Sequence, residues 1–156
     1  MIIQNDNGDV FEELIEVEEN RASTFKPLTH SLIVVRFEGA HLLVFNKFHK
    51  YWELPGGMID KSELPRTCAL RELLEESNQI VTDPQFIGVM KFDLMPDYWV
   101  KAQRIEYGTL FFAELTTKQD FILNDEMSDI CFWNGIDNIG FIEPIDAKMI
   151  ELAEKK

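Results

Sequence analysis

Positive charge is in short supply in this chain. Lys and Arg number 15 against 28 Asp and Glu, which leaves a net charge of −13. Nonspecific binding to nucleic acid or to an anionic membrane needs basic surface, so neither is expected as a partner. Cysteine is scarcer still: Cys68 and Cys131 are the only two, and their spacing fits no metal-binding pattern. They read as buried, reduced thiols of a cytoplasmic protein. No stretch approaches the ~20 apolar residues of a membrane span. The opening Met1-Ile2-Ile3-Gln4-Asn5-Asp6 has neither the basic start nor the apolar run of a signal peptide. The D-x-D-x-D-G pattern of a calcium loop is missing, as are internal repeats and interdomain linkers. What is present, with 46% hydrophobic and 12% aromatic residues in a chain of 156, is material for one globular domain. Residues 1–27 are expected to form a poorly defined N-terminal extension of it.

The chemistry concentrates between Gly57 and Gln79, which reads GMIDKSELPRTCALRELLEESNQ. Its first part, with Gly57, Asp60 and Ser62, has turn character. Its second part reads as a helix opened by Pro65, where a missing N–H costs nothing. At roughly 100° per residue, Ala69, Leu70, Leu73 and Leu74 share one arc, expected to face a core. Arg71, Glu72, Glu75 and Glu76 fill the opposite arc, expected to be exposed. Glu72 repels both Glu75 and Glu76 at helical spacing, and Arg71 offsets only part of this. Hard divalent cations bound by the carboxylate oxygens would remove the repulsion, and this reading is preferred to a merely solvated acidic face.

Elsewhere the pattern alternates strands and turns. His30–Phe37 reads as a buried strand, because Leu32-Ile33-Val34-Val35 is continuous and half β-branched. Glu38-Gly39 turns it into a second strand, Ala40–Phe45. Further strands are expected at Leu14–Val17, Phe86–Leu94, Arg104–Leu115 (with a bulge at Gly108) and Ile130–Trp133. Pro144 opens a terminal helix with Ile145, Met149, Leu152 and Ala153 on one side. Strand pairs around a central helix, closed by a second helix, suggest a mixed sheet covered on two faces. Arg36 is expected to pair with a carboxylate, and Trp52 and Trp133 to lie in the core. His30, His41 and His49 have no acid partner at an evident spacing and are given no role.

Gly57, Glu63, Arg71, Glu72, Leu73, Glu75 and Glu76 fall in the register G-x5-E-x7-R-E-U-x-E-E-x-G-U, where U is a bulky aliphatic residue. The stretch thus resembles the Nudix box. Two positions depart from it: Asn78 stands at the second glycine and Gln79 at the final aliphatic residue, with Ile80 one place later. Asparagine is the next-best residue for a left-handed helix cap, so the first departure keeps the local geometry. The resemblance implies an α/β/α sandwich over about residues 28–155 with a mixed β-sheet between helices. It implies a Mg²⁺-dependent hydrolase (Mn²⁺ as a substitute) that cleaves a diphosphate linkage in a nucleoside triphosphate or another nucleoside diphosphate-X, in the MutT-like manner.

By position, Glu72, Glu75, Glu76 and the carbonyl of Gly57 are implied metal ligands. Glu75 or Glu76 would receive the proton of the attacking water, Arg71 would orient the carboxylates, and Glu63 would stand behind them. Some members add a glutamate from a loop beyond the sheet; Glu126 is the candidate, with Asp125 and Asp129 nearby. Lys47 and Lys50 are candidate phosphate contacts, and Trp99 with Tyr98 a candidate stacking surface. Members acting on oxidised dGTP often place an asparagine just before the last helix. The stretch here reads Phe141-Ile142-Glu143-Pro144, leaving Asn134 and Asn138 as substitutes. A homodimer stays open, and so does a catalytically silent module that senses a nucleotide or binds a protein, although the latter usually loses box glutamates.

Overall fold

Why Leu32–Val35 is apolar without alternation becomes clear from what covers it. In a computed structural model, which describes residues 2–156, the strand β3 (Leu28–Phe37) lies inside a mixed sheet with both faces buried. Ile33 and Val35 pack on one side with Ala69 and Leu73 of the helix α1 (Pro65–Ser77). Val34 packs on the other with Ile145, Met149, Ile150 and Ala153 of α2 (Pro144–Glu154). The two helices therefore occupy opposite faces of one sheet, the three-layer arrangement expected.

The remaining strands are β1 (Ile3–Gln4), β2 (Val10–Ile15), β4 (Ala40–Asn46), β5 (Tyr51–Glu53), β6 (Gly56–Met58), β7 (Gln85–Leu94), β8 (Arg104–Glu114) and β9 (Met127–Trp133). Their order is β1-β2-β7-β8-β3-β4-β5, with β6 on β3 and β9 on β4. Only β3 and β8 pair in parallel; the other pairs are antiparallel. Glu38 (φ 50°) and Gly39 (φ 81°) make the β3–β4 turn, as their sequence indicated. Asn78 ends α1 at φ 60° and ψ 22°, the left-handed cap expected of it. Arg36 joins Glu114 and, at 2.5 Å, Glu154. No helix among the described residues is long and apolar enough to cross a membrane.

Four expectations are corrected. The expected extension over residues 1–27 is, from residue 2 on, part of the sheet: β2 pairs with β7 from Val10↔Asp93 to Ile15↔Val89, and Phe11 is fully buried. Gly108 does not carry a bulge; the extra residue is Thr29 of β3, and Gly108 is required because a Cβ there would meet the His30 ring at 2.7 Å. On α1 the buried face includes Glu76 and Ser77 with Cys68, Ala69 and Leu73, whereas Leu74 is 46% exposed. Cys68 is buried as expected, but Cys131 is only partly so; both are free thiols.

Candidate active site

The site is built where β6 turns into α1. β6 pairs with β3 at Ser31↔Gly57 and Leu32↔Gly56, which lays the strand across the helix. Ser31 Oγ donates to Pro65 O at 2.8 Å and so fixes the start of α1 against the sheet. Two consecutive glycines allow this close approach. A Cβ on Gly56 would stand 2.4 Å from Ser31 O, and one on Gly57 would stand 2.5 Å from the carboxylate of Glu72. Beyond β6, Asp60 N donates to Glu63 Oε1 and Glu63 N to Asp60 O, both at 3.0 Å, which folds the loop back on itself.

Arg71 ties the parts together. Its Nε and Nη2 grip Glu63 at 2.7 and 3.0 Å in a two-pronged pair, and Nη2 also donates to Met58 O at 3.1 Å. Its Nη1 reaches Glu72 at 2.8 Å and Glu75 at 3.2 Å. The guanidinium holds the Glu63 carboxyl down at about 2, and Arg71 is itself raised by Glu63. A planar fork with five donors suits this shared grip better than an ammonium would.

Glu76 is the least expected member. It is 2% exposed, and its Oε1 accepts from Gly56 N at 2.8 Å. Burial pushes its carboxyl up to about 10, with Glu126, Glu72 and Glu53 adding repulsion. Burial also raises Glu72, against the pull of Arg71, and raises Glu126, with Glu53 next in effect. Several carboxyls therefore share one partly dry region with a single arginine among them.

The structure brings together most of the residues expected from the sequence. Glu126 lies just ahead of β9, with its backbone locked by Lys47 N donating to Glu126 O at 2.9 Å; its carboxyl meets the field of Glu75 and Glu53. Lys47 Nζ donates to Asn124 O, so it supports that loop rather than reaching out as a phosphate contact. Lys50 (φ 61°) lines a cleft of about 270 Å³ with Asn5, His49, Tyr51, Phe141 and Glu143. Trp99, 84% exposed, packs edge-on against Tyr98 in the β7–β8 loop, where its backbone N donates to Asp97 Oδ1 at 2.8 Å. The Gly57 carbonyl, expected among the ligands, accepts from Cys68 Sγ at 3.5 Å.

Sequence reading missed Glu53 and His49. Glu53 Oε1 accepts from Asn46 Nδ2 at 2.8 Å, and Glu53 Oε2 lies 3.2 Å from His49 Nδ1. The His49-x3-Glu53 spacing across the β4–β5 turn was the available signal. His41 likewise has a partner, Glu154 at 2.7 Å. Asp146 was also missed: it is pushed well up by burial and by Glu143, and its Oδ2 accepts from Leu54 N at 2.8 Å.

As these side chains stand, no three acidic, histidine or cysteine groups converge on one point among the described residues, because Glu72 and Glu75 are turned onto Arg71. The donor chemistry nevertheless fits a hard divalent cation. Carboxylate oxygens from Glu72, Glu75 and Glu76 come from adjoining helical positions, Glu126 adds another from the loop, and the space a Cβ would fill at Gly57 is kept open beside Glu72.

Comparison with known proteins finds relatives in both sequence and fold. The model of the NUDIX domain matches residues 26–153. A MutT-like protein of Streptomyces ambofaciens is 34% identical over 82 residues, 50% of this chain and 53% of that protein, so the match spans about half of either. The structure superposes on the Bacillus subtilis pyrophosphohydrolase BsRppH with a TM-score of 0.71 at 15% identity, covering 98% of this chain and 95% of that one. It superposes on the NUDIX domain of Shewanella oneidensis NrtR, solved with ADP ribose, with a TM-score of 0.64 at 20% identity, covering 90% and 98%. With the box residues gathered around α1 and the family match running through most of the chain, the protein is a member of the NUDIX family.

Proposed function

We propose that this chain is a Mg²⁺-dependent pyrophosphohydrolase, able to substitute Mn²⁺, that cleaves the diphosphate linkage of a nucleoside triphosphate or related nucleoside diphosphate-X. The observation that carries the reading is the single arginine, Arg71, holding Glu63, Glu72 and Glu75 on the helix turn that also bears the buried Glu76. Phosphoryl transfer to water asks a protein chiefly for positioning and charge neutralisation. Bound to the carboxylates, a divalent cation would polarise the phosphate oxygens and lower the pKa of water. Glu72, Glu75 and Glu76 would hold it, and Arg71 with Glu63 would keep their oxygens aimed. Glu126 has a carboxylate with no hydrogen-bond partner among the described residues, which suits it to accept the proton of the attacking water or to add a ligand.

In this reading the full 156 residues act as one domain, since β2 is part of the same sheet. The cleft beside Lys50 is the candidate place for the nucleoside or for X, and Trp99 with Tyr98 offers ring faces at the rim of the molecule. Purified protein should be given Mg²⁺, with and without chelator, and a panel of (d)NTPs, oxidised dGTP, ADP-ribose, other sugar nucleotides, dinucleoside polyphosphates and capped RNA. Chelator-sensitive release of pyrophosphate or of a nucleoside monophosphate is expected. A folded, metal-binding protein that turns over none of them would instead be a nucleotide-sensing module.

A further inference from the structure

The two places where the chain departs from the Nudix box hold the loop that carries Glu126. Gln79 is fully buried, and both ends of its amide are hydrogen-bonded. Gln79 Nε2 donates to Gln119 O at 2.7 Å and to Ser77 O at 3.1 Å, while Gln79 Oε1 accepts from Gln119 N at 2.9 Å. The side chain thereby imitates one rung of a β-ladder, taking both the N–H and the C=O of Gln119. Its neighbour Asn78 donates from Nδ2 to Asp120 O at 2.9 Å. An aliphatic residue at 79 and a glycine at 78 could make none of these three bonds to the loop. Farther along the same segment, Asn124 Nδ2 reaches Glu76 O at 3.3 Å, and Asn124 Oδ1 accepts from Glu126 N and Met127 N at 3.1 and 2.8 Å. The end of α1 and the segment 119–126 are therefore sewn together from Gln119 to the residue after Glu126.

The geometry points to Asn78 and Gln79 as positioning residues that clamp the 119–126 segment across the end of α1 and so set Glu126 against the carboxylates of Glu72, Glu75 and Glu76. This rests on the role given to Glu126 above. A long loop with exposed Ile122 and Leu123 has little packing of its own to order it, and orientation within a fraction of an ångström governs the rate of a positioned group. The clamp supplies that order from residues that never touch the reacting atoms.

Asn78→Gly and Gln79→Leu, singly and together, restore the box and test this. Glycine accepts the left-handed conformation of Asn78 without strain, so Asn78→Gly folds even where Gln79→Leu disturbs the core. The clamp predicts amide hydrogen exchange over 119–126 faster by about ten-fold in the double variant, and kcat lower by about ten-fold with KM little changed, read on the panel substrate with the highest kcat/KM. Gln79→Glu, which keeps the acceptor for Gln119 N, should recover part of both. In a Glu126→Gln background the box-restoring changes should cost nothing more, since groups acting as one unit are not additive. Unchanged exchange in the double variant would overturn the clamp, and a loss that simply adds to that of Glu126→Gln would show that these residues act by another route. Full activity of Glu126→Gln would remove the role of Glu126 instead, while the exchange measurement still decides whether the clamp exists.

Discussion

Gly57 has no room for a methyl group except at the expense of Glu72. The atoms a Cβ would meet at 2.5 Å belong to the end of a flexible carboxylate side chain rather than to backbone. Gly57→Ala should therefore cost little stability, because Glu72 can swing away, yet it should move a carboxylate off the site. Turnover is expected to fall by about ten-fold or more with a melting temperature within a few degrees of the parent; equal activity would show that the position of Glu72 does not matter. His30 makes a second argument from one residue. Its ring sits between Gly108 and Phe92, and burial lowers its pKa from 6.5 to about 4. The unfolded chain takes the proton first, so the stability that neutral His30 provides is complete above about pH 6.5 and is lost as pH falls towards about 4. The loss can reach about 3 kcal/mol. His30→Gln should flatten the acid side of a melting-temperature profile over that window, and an unchanged slope would assign the effect to other groups.

At the scale of the element, α1 shows what a helical wheel does and does not reveal. Leu73 is fully buried, so Leu73→Ala should destabilise by about 2–5 kcal/mol. Leu74, drawn on the same arc in the sequence, is 46% exposed, and Leu74→Ala should cost no more than about 1 kcal/mol. Chemical denaturation of the two variants measures the difference; equal losses would contradict the observed rotation of the buried face. The wheel put the helix, its Pro65 start and its Asn78 end in the right places, because those depend on local dihedral preferences. It misplaced Glu76 and Leu74 because the buried face is set by β6 lying across the helix, with Gly56 N donating to Glu76, and nothing in α1 itself encodes that strand. The N-terminal strands were legible only in part for a similar reason: the strand expected at Leu14–Val17 overlaps β2 at Leu14 and Ile15 alone, because β2 is acidic and its order comes from pairing with β7, remote in sequence. His49 and Glu53 escaped because a turn, not a helix, brings them together. The box itself was legible in full, since its register is carried by charged residues whose spacing survives any error in the surrounding elements.

Taken whole, the molecule has far more acid than base, with a net charge of −13, and it gathers several carboxyls at one end of one helix. Such a fold has two separable responses to cations. Ionic strength screens the general repulsion of the surface, an effect any salt produces. A divalent cation held at Glu72, Glu75 and Glu76 adds a term from binding only the folded state, which grows as RT ln(1 + [L]/Kd). At ten times its dissociation constant the metal contributes about 1.4 kcal/mol, or about 3–5 °C in melting temperature for a chain of this size. MgCl₂ should thus raise the melting temperature beyond NaCl at matched ionic strength, and chelator should abolish the excess. Glu76→Gln is the control. The amide oxygen can still accept from Gly56 N, so this variant should fold and respond to NaCl as the parent does, while losing most of the Mg²⁺ excess together with about 10²–10³-fold of turnover. A parent protein that responds alike to both salts, or a variant that keeps the Mg²⁺ excess, would place the cation somewhere other than these carboxylates.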